Sequence, residues 1–229
     1  MRLLVAETTR TAKAAASDLS RIGFLVTRAD CIETCLDFLL SAEQDALLLD
    51  DLTNDTIERT IASARQSHPL LPIVVLSEGA DKARRKILIA AGADHIVHDS
   101  FNPTEIAHRI HAMVRRSAGY PGPGLDTGGL LLDPMTRNVT TGKGEIRLAR
   151  LEYEVLEMLA LRAGRHVDRD AIMTQLYAWT DEPEAAIVEV YLSRIRRKIA
   201  EAGGDPGMIE TAPGRGWRMR TGMPATIAA

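Results

Sequence analysis

The chain has little that would tie it to an oxidising compartment, a membrane or a polyanion in bulk. Among 229 residues there are two cysteines, Cys31 and Cys35. Four apart on an expected helix, they make neither a disulfide framework nor a zinc site, because no further cysteine exists to complete one. Two free thiols in a reducing cytosol is the expected state. Long apolar runs are also missing. MRLLVAETT is too short for a signal peptide, and no stretch reaches membrane-spanning length. A soluble, cytoplasmic protein with no membrane partner is expected. A large positive charge is absent too: the formal net charge is −3, so bulk attraction to nucleic acid is no argument.

The basic charge is local instead. From Arg194 to Arg220 there are seven Arg or Lys (194, 196, 197, 198, 215, 218 and 220) against three acids (201, 205 and 210). A patch of this kind, rather than a basic whole chain, supplies sequence-independent affinity for DNA. Its core is Ile187 to Ile199, IVEVYLSRIRRKI. At helical spacing Val188, Tyr191 or Leu192, Ile195 and Ile199 form one apolar stripe. Ile187, Val190, Arg194 and Arg197 fall opposite, flanked by Arg196 and Lys198. Such a helix can bury one face and offer guanidinium groups to a major groove, where Arg pairs bidentately with guanine O6 and N7. A solvated surface helix fits the same pattern when taken alone.

A length of 229 residues suggests about two domains, and 45% apolar content is enough to give each a core. In the first half short apolar runs alternate with amphipathic segments. Leu3–Ala6, Phe24–Thr27, Ala46–Leu49, Ile73–Leu76 and His95–Val97 read as buried strands; 10–22, 31–41, 55–67, 80–91 and 103–116 read as helices. Five such units predict an α/β, doubly wound parallel sheet. Function in that architecture gathers at the strand carboxyl ends: Glu7–Thr9, Asp50–Asp51, Ser77 and His98–Ser100.

The second half has a different rhythm. SAGYPGPGLDTGG, rich in Gly and Pro, places a linker over 118–128 between a domain at 1–117 and another at 129–222, with a tail at 223–229. Short strands are expected near 130–133, 137–141 and 145–148. Leu151–Arg162 reads as a helix closed by Gly164, with Leu151, Val155, Leu156 and Leu159 inward. Asp168 can cap a second helix over 169–178, and a third spans 184–202, ending at Gly203-Gly204. IETAPGRGWRM looks like a hairpin whose Gly214 and Gly216 permit a tight turn and present Arg215 at its tip.

A short sheet, three helices and a terminal hairpin make a winged helix-turn-helix. LxxxEYEVLEMLALRAG, DRDAIMTQLY, VEVYLSRIRRKI and IETAPGRGWRM together resemble the effector domain of OmpR/PhoB-type response regulators, and the first half resembles their CheY-like (βα)5 receiver. HRIHAMVRRS at 108–117 and LYAWTDEPEAAIVEVY at 176–191 resemble the CtrA-like alphaproteobacterial branch. The resemblance implies a DNA-binding transcription regulator, not an enzyme. It places Val190 and Arg194 against base edges, Arg196 and Arg197 on phosphates or bases, and Arg215 in the minor groove, with Ser193 and Lys198 also among the DNA-binding residues. Trp217 takes the wing-base position, either as a DNA contact or as core filler. Pro213 stands where many relatives carry a wing Arg, and Tyr191 replaces a common His.

The receiver half departs further from its family. Asp50 matches the phosphoacceptor and Ser77 the hydroxyl that follows the phosphoryl group. Thr8, however, stands where relatives place the main metal-binding Asp, with Glu7 beside it. Asp99 aligns with the phosphate-steadying Lys, Ser100 with the next Pro, and Ile96 with the switch aromatic. Mg²⁺ prefers octahedral oxygen coordination, and this pocket offers Asp50, Glu7 through water and the Leu52 carbonyl. An Asp in place of Lys repels a transferred phosphoryl. The expectation is a vestigial pocket, with no cofactor or metal, and regulation without phosphorylation. A different metal site built from Glu7, Asp50 and Asp99 is the contrary reading.

What remains for the receiver is association. The resemblance implies a homodimer through the fourth helix, fifth strand and fifth helix, with Asp94, Arg109 and Arg116 at matching positions and Arg84 and Arg85 nearby; solvated surface charges are the plain alternative. Double-stranded DNA is the expected partner, with RNA polymerase reached through the 179–183 loop. A decoy that docks a histidine kinase or phosphotransferase, and a conventional regulator phosphorylated on Asp50, are the competing functions.

Overall fold

Continuous apolar runs, rather than alternating ones, are what strands need when helices cover both faces of their sheet. The computed structural model describes residues 1–51, 56–77, 79–97, 102–177 and 187–221. In it β1 (Arg2–Ala6), β2 (Leu25–Ala29), β3 (Ala46–Asp50), β4 (Ile73–Leu76) and β5 (His95–Val97) form a parallel sheet in the order β2-β1-β3-β4-β5. Every residue of β1, β3 and β4 is buried. β2 begins one residue later than expected. Phe24 sits just before it and stacks on His111, ring centroids 4.5 Å apart.

Helices α1 (Arg10–Ile22), α2 (Ile32–Ser41), α3 (Thr56–Ser67), α4 (Lys82–Ala91) and α5 (Pro103–Ser117) complete this unit. Three of them carry side-chain caps, among them Asn102, whose side-chain oxygen accepts from Thr104 N and Glu105 N at the start of α5. The Thr9 hydroxyl accepts from the Ala12 amide at the start of α1, and the Asp81 carboxylate accepts from Arg84 N at the start of α4. Cys35 lies in the core of the sheet's α2–α3 side. Burial, with Cys31 and Glu33 adding to it, pushes its thiol up to about 12, the condition of an inert structural cysteine. No described helix is long and apolar enough to cross a membrane.

The chain divides into two compact units, Met1–Ser117 and Ala118–Ala229. The second opens with β6 (Leu125–Asp126), β7 (Leu131–Asp133), β8 (Asn138–Thr140) and β9 (Glu145–Ile146), an antiparallel sheet in chain order. The segment expected as linker is therefore partly built into it. Leu125 is fully buried opposite Leu132, and the Tyr120 hydroxyl donates to the Ala160 carbonyl at 2.7 Å. Turn residues hid this strand because a two-residue pairing leaves no periodicity to read.

Next come α6 (Arg150–Leu161), α7 (Arg169–Tyr177), α8 (Ile187–Glu201) and a 3-10 turn (Pro206–Met208). The hairpin β10 (Ile209–Ala212) and β11 (Gly216–Met219) closes the unit. Asp168 caps α7 as expected, accepting from Ala171 N at 2.7 Å. Burial of α6 is broader than its apolar stripe: Glu152, Glu154 and Glu157 are buried with the leucines, while Leu151 is only half-buried. Each acid is accommodated by a partner, since burying a lone carboxylate is prohibitive. Lys198 pairs with Glu152, Arg137 with Glu154, and Tyr153 donates to Glu157 at 3.0 Å. Asp99, the 179–183 loop and the 223–229 tail lie outside the described residues.

Candidate nucleic-acid interface and acceptor pocket

Along α8 the buried residues are Val188, Leu192, Ile195 and Ile199. Leu192, not Tyr191, completes the stripe; each of these side chains contributes about 2 kcal/mol on burial. The Tyr191 hydroxyl lies 3.0 Å from that of Tyr177 and ties α8 to α7. The opposite face presents Val190, Ser193, Arg194 and Arg197, all exposed and at helical spacing. Arg194 makes no hydrogen bond or ion pair among the described residues, though its charge reaches Glu152. Arg197 lies 3.5 Å from Glu201, but both side chains are about two-thirds exposed, so the pair is weak.

Arg196 and Lys198 are placed differently from the expectation. Lys198 turns toward α6 and bonds Glu152 at 2.6 Å. Burial alone would raise the Glu152 pKa. Lys198, the Ala149 amide and the more distant Arg194 reverse that, holding the carboxyl below its usual range. The Arg196 fork reaches β10, donating to the Ile209 carbonyl and the Thr211 hydroxyl. Arg218 pairs with Glu210, and Arg220 with Asp205. Of the seven cations counted from Arg194 to Arg220, these four are engaged within the fold. Arg194, Arg197 and Arg215 are exposed without a strong partner, whereas Arg220 is exposed but paired.

Arg215 occupies the tip of the β10–β11 hairpin, with a turn hydrogen bond from its amide to Ala212 O at 2.9 Å. Gly214 and Gly216 both adopt positive φ, 73° and 92°, which suits glycine. At Gly216 a Cβ would also lie 2.1 Å from the Val167 carbonyl oxygen. Trp217 is 6% exposed and exchanges two backbone hydrogen bonds with Val167, 2.7 and 2.8 Å long. That burial fits the core-filler reading of the two given for it.

In the first unit the residues expected to form an acceptor pocket lie at the carboxyl ends of β1 and β3. Asp50 is 8% exposed and accepts from the Thr9 hydroxyl. Glu7 pairs with Arg28. Asp51, whose side chain is 1% exposed, accepts from both Arg84 Nε at 2.8 Å and the Ser77 hydroxyl at 2.6 Å, while Arg84 also reaches Glu58. These hydrogen bonds raise the Arg84 pKa further, against the effect of burial. Ser77 thus serves Asp51. The Thr8 hydroxyl oxygen is sheltered without a hydrogen-bond partner among the described residues. These donors do not fit Mg²⁺: one position holds a hydroxyl, and the neighbouring carboxylates are already matched to cations or donors. No group of three metal-ligating side chains occurs among the described residues.

Two of the expected association residues are also drawn inward. Arg84 clamps Asp51 and Glu58 within its own unit. Asp94 accepts from Arg65 at 2.7 Å and from Ile73 N at 2.8 Å, although it stays partly exposed. Arg109 forms an exposed i,i+4 pair with Glu105, and Arg116 lies near it. Asp94, Arg109 and Arg116 line a groove of about 720 Å³ beside β5 and α5, with His95, His108 and Met113. Sequence reasoning missed the Arg84 clamp because its partners lie 26 and 33 residues away.

Residues 143–219 match the family described as "Transcriptional regulatory protein, C terminal". The cell cycle transcriptional regulator CtrA of Caulobacter vibrioides is 31% identical over 222 residues, covering 95% of each chain. The chain belongs to the OmpR/PhoB-type response regulators. This response regulator is likewise 30% identical to the CtrA of Brucella ovis, over 95% of its own length and 94% of the relative's. The solved response regulator DrrB of Thermotoga maritima, an OmpR/PhoB homolog, aligns with 96% of this chain and 98% of its own at 24% identity, with a TM-score of 0.42. The five-stranded receiver-like sheet and the winged-helix unit are the two parts expected of an OmpR/PhoB-type regulator.

Proposed function

We propose that this response regulator reads specific DNA sequences through α8 and the β10–β11 wing, and that its receiver acts without phosphorylation as a dimerisation module. The observation that carries the phosphorylation reading is the set of internal partners around the acceptor: Thr9 on Asp50, Arg28 on Glu7, and Arg84 with Ser77 on Asp51. A phosphoryl group on Asp50 would have to displace the Thr9 hydrogen bond, and Ser77 would have to leave a buried carboxylate to follow it. Both changes oppose the reaction. The groove beside β5 and α5, lined by Arg109, Arg116, Glu105 and Asp94, supports an isologous contact in which cations of one protomer meet acids of the other.

The test uses the full chain. Treatment with acetyl phosphate and Mg²⁺ is expected to leave Asp50 unmodified by intact mass, and Asp50→Asn is expected to bind selected DNA as tightly as wild type. Acid-labile phosphate on Asp50, or clear loss of binding by Asp50→Asn, overturns phosphorylation independence. Sedimentation of an Arg109→Ala, Arg116→Ala double variant tests the dimer; an association constant equal to wild type overturns this interface.

A further inference from the structure

The wing is a two-stranded hairpin, and a hairpin of this size does not hold itself in place. β11 is anchored by Val167, which exchanges hydrogen bonds with Trp217, and by Gly164, whose amide donates to Met219 O at 2.8 Å. On the far side β10 shows an open edge. Its Ile209 carbonyl faces away from β11 and must find another donor. The donor is Arg196 on α8: Nε and Nη2 lie 3.1 and 2.7 Å from that oxygen, and Nη2 lies 2.8 Å from the Thr211 hydroxyl. Three of its five N–H groups are thereby committed within the domain.

We propose that Arg196 is a positioning residue that joins the reading helix to the wing and so sets where Arg215 reaches, rather than a residue that contacts DNA. Arg196 has no carboxylate partner among the described residues, so its fork is matched to neutral acceptors on a single strand. Burial lowers its pKa from the ordinary arginine range, in keeping with a group removed from solvent. Nη2 alone reaches both acceptors, and Nε adds a second bond to the Ile209 carbonyl that fixes the plane of the fork; a lysine, with one nitrogen, would lose that second bond. With Ala212 opposite Gly216, Arg215 stands two residues beyond the Thr211–Trp217 pair, roughly 7 Å along the hairpin. A tilt of about 10° at the anchor moves its backbone by about 1 Å, more than a hydrogen bond tolerates.

This inference rests on the DNA-reading proposal, and one experiment separates the two. The full-length wild-type chain selects duplexes from a random-sequence library, and the enriched duplex serves as probe for fluorescence anisotropy. Arg215→Ala and Arg196→Ala are each expected to weaken binding ~10-fold. The double variant is expected to be no weaker than either single one, because the second change acts through a contact already lost. With Arg194→Ala, by contrast, Arg196→Ala is expected to be additive. In the Arg215→Ala background, Arg196→Ala leaves the salt dependence unchanged, whereas loss of a phosphate contact would lower the log–log slope by about one. Arg196→Lys is expected to recover little, although lysine would preserve a phosphate contact. Thr211→Val, a milder change on the exposed acceptor, is expected to shift affinity in the same direction and to show the same dependence on Arg215. Additive loss with Arg215, a reduced slope, or full rescue by lysine overturns the positioning role while leaving DNA reading intact. A wild-type chain that enriches no duplex overturns the DNA-reading proposal, and this inference with it.

Discussion

At the scale of single residues, the chain's arginines divide by what they meet. Arg84 is four-fifths buried and bonds an aspartate whose side chain is 1% exposed. Removing one member of such a pair leaves a buried charge without compensation, which costs about 3–5 kcal/mol. Arg84→Ala is therefore expected to lower the urea midpoint of the receiver strongly, and Arg84→Ala with Asp51→Ala to recover part of the loss. A change below about 1 kcal/mol would place the pair among ordinary surface contacts. Nothing in the local sequence distinguishes Arg84 from Arg85, since the distinction comes from acids distant in the chain. The same holds for Arg196, whose acceptors lie 13 and 15 residues onward.

At the scale of elements, the parallel strands were legible because β1, β3 and β4 are buried on both faces and so read as unbroken apolar runs. The reading helix was legible to within one choice: the stripe runs through Leu192, and Tyr191 lies beside it. α6 was legible as a helix but not as one buried all round, because its glutamates match polar partners contributed by the sheet, its own Tyr153 and α8. One of those matches responds to pH. The Glu152 carboxyl is held below its usual range in the folded domain, so its contribution to stability is complete above the ordinary carboxylate pKa. It is lost as pH falls through the lower folded value. Lys198→Met removes the strongest of the partners that oppose burial, leaving the Ala149 amide and the more distant Arg194, so the Glu152 pKa rises relative to wild type. The variant is expected to be about 3 kcal/mol less stable at neutral pH and to lose less on acidification than wild type. Urea unfolding of both proteins between neutral pH and about pH 3 checks the sign; parallel curves would contradict it.

At the scale of the whole molecule, a chain with a net charge of −3 must concentrate its attraction for DNA, and the fold concentrates it further than the sequence suggests. Four of the seven cations from Arg194 to Arg220 are held by internal partners, leaving Arg194, Arg197 and Arg215. Each phosphate neutralised contributes about 0.9 to the log–log salt slope. Arg197→Ala is accordingly expected to reduce the slope by about one, and Arg218→Ala to leave it unchanged, as measured by titration of a selected duplex between low and physiological salt. Equal effects would mean that the Arg218–Glu210 pair opens on binding. The division into two units was legible from the Gly- and Pro-rich stretch, but its composition concealed Leu125 and Tyr120, which pack into the second unit.

Thr9 performs two tasks with one hydroxyl. Its oxygen receives the Ala12 amide that begins α1, and its proton goes to Asp50. The acceptor carboxylate and the first turn of that helix are therefore mechanically in series. Whatever enlarges or removes Asp50 takes the acceptor from the Thr9 proton, so it is felt at the first turn of α1, far along the chain from the arginines of the wing.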